Sequence, residues 1–157
     1  MTATAHALVA GAIASHIPDP FSAALLALAS HFIMDSVPHW DFGANWRNRP
    51  TSVPGILAIA ETVIGMSVAY LVFGGKVELG LLSVTVVASL LPDWLETPWY
   101  IFFANHKKKM PATGAGILEK ICFNVYKIEN VFHTKASFPF GVITQVATVA
   151  FFLVILT

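Results

Sequence analysis

The sequence predicts an all-α fold: a polytopic membrane helical bundle of about five membrane segments with one amphipathic helix on its surface. Three observations predict it. Of 157 residues, 56% are hydrophobic and 11% charged, with a mean hydropathy of +0.71 and no net charge, whereas about a quarter of a soluble globular domain is charged. Apolar runs near residues 3–17, 20–37, 55–73, 77–96 and 139–156 approach the roughly 20 residues that a helix needs to cross hydrocarbon. Between the last two runs, residues 114–132 carry Ile117, Ile121, Val125 and Ile128 at helical spacing, opposite Lys120 and Lys127, the pattern of a helix lying on a surface. The length suits one domain covering 1–157, and no composition shift marks a linker.

Taken in order, the first two segments are short and are joined by "HIPDP", whose prolines disfavour a continuous helix, so they read as a tight helical hairpin or a pair that does not fully cross. Five spans are nevertheless the simplest count. Residues 97–104, "TPWYIFFA", prolong the fourth beyond a kink at Pro98, with Trp94, Trp99 and Tyr100 suited to the interfacial belt. With five spans, Arg47, Arg49, Lys107, Lys108, Lys109, Lys120, Lys127 and Lys135 fall on one side and Lys76 alone on the other. That bias places the N-terminus and the long loops in the cytoplasm, and the protein in the cytoplasmic (inner) membrane. Net neutrality argues against nucleic acid as a partner, because displacing counterions from phosphates needs a basic surface. The lone Cys122 excludes an internal disulfide and reads as a packing residue.

The stretch "HFIMDSVPHWD", His31 to Asp41, sets four potential metal ligands at the end of an apolar run. His31 and Asp35, four apart, stand on one helix face; Pro38 then bends the chain and lets His39 and Asp41 fold back. The same topology returns His6, Glu61, Asp93, Glu96, Glu129 and His133 to the cytoplasmic side. Acids and imidazoles held in lipid cost about 2.5–3.5 kcal/mol each on insertion scales unless they are paired or solvated, and without matching cations they point to bound metal. Imidazole and carboxylate without thiolate suit zinc first, with manganese or iron as alternatives. His31, Asp35, His39, Asp93, His6, Asp41 and His133 are the candidate ligands, more than one ion needs, so two or more ions are expected, an arrangement used to displace at phosphorus.

Each candidate has a plainer reading. His6 can join helices through a hydrogen bond. "LPDWLE" can end a membrane helix with carboxylates at the headgroups. Glu129 and His133 can be solvated loop residues, and His16 and Asp19 read as loop residues on the opposite side. His106 reads as solvated beside Lys107, Lys108 and Lys109, which are an orientation and anionic-lipid signal that can also hold a substrate phosphate.

At "ASHFIMDSVPHWDFG" the chain resembles the helical superfamily of zinc-dependent phospholipases C and single-strand-specific nucleases, in which His, three residues, Asp, then Pro and a second His bind zinc. In character it resembles more closely the bacterial inner-membrane metal-dependent hydrolases of the LexA-binding type, through "TAHALVAG" with His6, "SHFIMD" with His31 and Asp35, "SLLPDWLE" with Asp93, and "FHTKAS" with His133. The order of the SHxxxD and LLPD elements here is the reverse of the one expected in that family. The resemblance implies a metal hydrolase of phosphate esters, and it carries over His31, Asp35 and His39 first and Asp93 next.

The expectation is therefore a membrane-embedded phosphoesterase acting on a phospholipid or polyprenyl phosphate at the cytoplasmic face. A water acidified by the metals attacks phosphorus, and Glu61 or Glu96 accepts its proton. The alternatives are a metal-ion or proton-coupled transporter, which needs ionisable groups through the whole membrane depth, and a metal-stabilised scaffold without turnover.

Overall fold

Helix α1 (Ala3–His16) begins where the Thr2 side chain accepts the Ala5 N–H. Helix α2 (Pro20–Ser36) follows a cap in which the Asp19 carboxylate accepts the Ser22 N–H at 2.8 Å, with Pro20 in the first turn, where its missing N–H costs nothing. The two are separate helices, as the "HIPDP" prolines predict. The computed structural model describes residues 1–41, 52–104 and 110–156. In these lie four further α-helices: α3 (Ser52–Phe73), α4 (Leu79–Pro98), α5 (Ile117–Phe132) and α6 (Phe140–Ile155). A π-helical turn over Trp99–Ala104 continues α4, so the chain does extend past Pro98 as expected. The fold is all-α.

Helix α1 is the centre of the bundle, packing on α2, α3, α4 and α6. Ten of its fourteen residues are buried, six of them alanine, and such small side chains let neighbouring backbones approach closely. A Cβ added to Gly65 would come within 2.8 Å of the Ala3 carbonyl carbon. Glycine there lets α3 touch the start of α1, and one turn earlier Glu61 accepts the Ala3 N–H at 2.8 Å.

By length and apolarity, two helices among the described residues suffice to cross a membrane, Gly55–Phe73 and Leu79–Ala104; Phe140–Ile155 is a shorter apolar helix. Helices α3 and α6 turn Ile56, Leu71, Ile143, Val146, Phe151 and Val154 outward, an apolar exterior over a centre that holds buried histidine and aspartate.

Helix α5 packs on α4, the π-helical turn and α2. Its inward side is Cys122 and Glu129, while Ile117, Ile121 and Ile128 point outward. Cys122 packs as expected, in a small aromatic cluster with Trp99, Phe123 and Tyr126. Two non-helical segments then meet. His39 N–H donates to Thr134 O at 3.0 Å, Ala136 N–H to His39 O at 2.7 Å and Thr134 N–H to Asp35 O at 2.9 Å. The resulting parallel bridge sets His39 against Lys135.

Candidate metal centre

The C-terminal parts of three helices and the start of a fourth supply the site. Asp35 lies in the last turn of α2, Asp93 and Glu96 in the last turns of α4, and Glu129 in the last turn of α5, while His133 caps the end of α5. Carbonyls at the ends of α2 and α5 carry partial negative charge, so Asp35 and Glu129 face an unfavourable field as well as one another. His6 enters from the buried first turns of α1. His6, His31, Asp35, His39, Asp41 and Glu129 are all buried. Asp93 and His133 are partly exposed.

Two imidazoles have their tautomers fixed by main-chain carbonyls. His31 Nδ1 donates to Ser89 O at 2.7 Å. Pro92 has no N–H to give to Ala88, so the α4 hydrogen-bond ladder is interrupted beside that carbonyl. His39 Nδ1 donates to Val37 O at 2.8 Å. Each ring therefore turns its Nε2, free of the backbone, into the cluster, the arrangement that outer hydrogen bonds impose on metal-binding histidines.

His31 Nε2 stands 3.6 Å from Glu129 Oε2, 3.7 Å from Asp35 Oδ2 and 3.9 Å from Asp93 Oδ1. An unprotonated Nε2 there would meet three carboxylates with nothing between them, and a proton or a cation relieves that repulsion. These gaps are close to the ~3.4 Å edge of a tetrahedron built on a metal–ligand bond of about 2.1 Å. Around Asp35, His6 Nε2 lies 3.1 Å from Oδ1 and His133 Nδ1 3.4 Å from Oδ2, and the Met1 nitrogen donates to Oδ1. His39 Nε2 and His133 Nε2 approach to 2.9 Å, and His133 Nε2 lies 3.0 Å from Asp41 Oδ2.

The buried atoms without a hydrogen-bond partner include His6 Nδ1, His31 Nε2, Asp35 Oδ2 and Asp41 Oδ1. Buried carboxylate oxygens are rarely left so, and a cation is the group that satisfies oxygen and imidazole lone pairs at once. Among the described residues, three ligand sets have their atoms within 4.8 Å of one another: His6, His31 and Asp93; His31, Asp35 and Glu129; Asp35, His39 and His133. Asp35 and His31 are shared between sets, so the geometry accommodates more than one ion.

Burial first, and then nearby positive charge, push His39 down to about 4, so its imidazole is neutral near pH 7, the form that binds metal. Burial opposes ionisation of Asp41, but the hydrogen bond from His133 and the Lys135 ammonium outweigh it and hold the carboxyl below its usual range.

All seven ligands expected from the sequence, His6, His31, Asp35, His39, Asp41, Asp93 and His133, come together in this cluster. Glu61 and Glu96 do not enter it. Both line an adjoining cavity of about 140 Å³ that also touches Asp41, Asp93, His133 and Lys135, and Glu96 accepts from Tyr100 OH at 3.1 Å. Lys107, Lys108 and Lys109 lie outside the described residues. Glu129, whose plain reading was a solvated loop residue, is a buried member of the cluster; the signal was its spacing of four from His133. His16 and Asp19 sit at the far end of α1 and the start of α2.

Comparison of the chain with family models, with curated proteins and with solved structures found no match.

Proposed function

We propose that this chain is a membrane-embedded, metal-dependent phosphoesterase of the cytoplasmic membrane, acting on a phospholipid or polyprenyl phosphate. The reading takes α1, α2, α3, α4 and α6 as the five membrane segments and α5 as the surface helix, with the cluster at the cytoplasmic face. The observation that carries it is the buried His31 Nε2, turned into the cluster by the hydrogen bond of Nδ1 to Ser89 O and standing beside three carboxylates.

His31, Asp35 and Glu129 would hold one divalent ion and Asp35, His39 and His133 a second, with His6 and Asp93 joined to the first through His31 and Asp41 beside the second through His133; zinc suits this donor set best. When bound, such ions supply Lewis-acid charge that acidifies water and offsets negative charge on phosphoryl oxygens. Glu61 or Glu96, on the cavity wall, accepts the proton of the attacking water. A bond forms from the water oxygen to phosphorus, the ester P–O bond breaks, and the proton passes to the departing alkoxide. Leu57, Ala58, Trp94 and Ile101 line the same cavity, so an apolar chain can lie along α3 and α4 while its phosphate reaches the cluster.

The transporter reading is weaker, because the carboxylates at the far end, Asp19 and Glu78, are engaged as helix caps. Protein purified in detergent should carry about two zinc equivalents and release alcohol or phosphate from at least one member of a panel of phospholipids and polyprenyl phosphates. A zinc-loaded protein inert on the whole panel sinks the hydrolase reading and leaves the scaffold.

A further inference from the structure

We propose that Lys135 is the anchor for the phosphate group of the ligand, a specificity-determining cation set beside the cluster; the proposal rests on reading that cluster as a metal centre. The cavity next to it presents Asp41, Glu61, Asp93 and Glu96 to anything that enters. Every ionised carboxylate among them repels an anion, and bound metal offsets only those that ligate it. Lys135 is the one Lys or Arg among the described residues lining the cavity.

Its backbone is fixed from both sides. Thr134 O accepts from His39, Ala136 N–H donates to His39 O, and His133, two residues earlier, reaches Asp41 and Asp35. The Lys135 stem therefore leaves the chain between ligands and points along the cavity wall, with its Nζ 3.2 Å from Asp41 Oδ2 and its side chain 45% exposed. An ammonium carries three donors. One meets Asp41, and a phosphoryl oxygen entering the cavity is the complementary acceptor for another, as a compact point charge on a flexible stem suits. The plainer role, a counter-ion that only neutralises Asp41, predicts an effect on metal retention, with phosphate affinity falling only as far as metal is lost.

The ligand chemistry is a phosphate group, whether on a lipid or free. The apolar wall formed by Leu57, Ala58, Trp94 and Ile101 gives the two sources different affinities. Zinc-loaded wild type, Lys135→Met and Lys135→Arg are titrated calorimetrically with inorganic phosphate and with dodecyl phosphate, and the zinc content of each is measured by elemental analysis. Lys135→Met should weaken both ligands by about tenfold to a hundredfold, the range of one charge-assisted hydrogen bond, with zinc content unchanged and most of the affinity restored in Lys135→Arg. Tighter binding of dodecyl phosphate than of inorganic phosphate assigns the anchor to a lipid headgroup, and equal binding assigns it to free phosphate; either supports the anchor. Equal phosphate affinity in wild type and Lys135→Met at full zinc content overturns it and leaves the metal centre standing. A loss of affinity matched by a loss of zinc makes Lys135 a counter-ion and overturns it too. Wild type that takes up no zinc removes the metal centre, and this proposal with it.

Discussion

Helix α2 carries an aspartate at each end, and the two are in opposite electrostatic situations. Asp19 precedes the helix, exposed, with its carboxylate on the Ser22 N–H, where the helix dipole favours negative charge. Asp35 lies in the last turn, buried, beside His6, His31 and His133, with one oxygen lacking a hydrogen-bond partner. The same contrast holds for α4, where Glu78 caps the start through the Gly80 and Leu81 N–H groups and Asp93 and Glu96 crowd the end. Carboxylates at one end of the bundle are complete without any ligand. Those at the other end are balanced only in part: Asp35 has the Met1 nitrogen and His6, and Asp41 has His133 and Lys135, yet Asp35 Oδ2 and Asp41 Oδ1 are left buried without a hydrogen-bond partner, and that shortfall marks the site. The comparison breaks most directly at Asp35, which belongs to two of the three ligand sets. Asp35→Ala should abolish stoichiometric metal binding, a loss larger than the about 10–100-fold that removing an outer hydrogen-bond partner costs. His16→Ala, at the far end, should leave elemental content untouched.

The next effect acts through the backbone. A Cβ on Gly141 would fall 2.6 Å from Trp40 N and 2.9 Å from the His39 carbonyl carbon, distances that force the main chain to move. Gly141→Val should displace the His39 segment from the start of α6, costing about 1–3 kcal/mol of stability as an overpacked contact does, and should weaken metal retention although no ligand has changed. Gly75, between α3 and α4 at the other end, has nothing within 4 Å of an added Cβ, so Gly75→Ala is the control. Thermal melts and metal titrations of the pair that came out alike would remove the His39 strap from the account.

Much of this was legible in the chain. The spacing of His31 and Asp35 shows a shared helix face, and threading successive apolar segments back and forth brings His6, Asp93 and His133 to the end of the bundle where they meet His31 and Asp35. Two things were hidden for physical reasons. In α5 the apolar stripe of Ile117, Ile121 and Ile128 faces outward, so the usual rule that polar residues face solvent misplaces Glu129, which is inward with Cys122. Lys135 is set by its pairing with His39, a contact between segments almost a hundred residues apart that leaves no periodic trace. Helix α1 reads as one more apolar run, yet its alternating alanines are the signature of a central helix on which others close; ten of its residues are buried.

The smallest expected effect sharpens the comparison from the quiet end. The Ser22 side chain and backbone N–H hold the Asp19 carboxyl below its ordinary value, burial contributing little. A carboxyl whose folded pKa is lowered gives stability that is present above its unfolded pKa and is lost as pH falls through the folded one. Asp19→Ala should therefore lower the melting temperature by a few degrees near neutral pH, and its difference from wild type should shrink as the solution is acidified through the carboxylate range. Metal content should match wild type throughout. An Asp19→Ala protein depleted of metal as deeply as Asp35→Ala would mean that the two ends of α2 are coupled, and that the division between capping and ligating carboxylates does not describe this molecule.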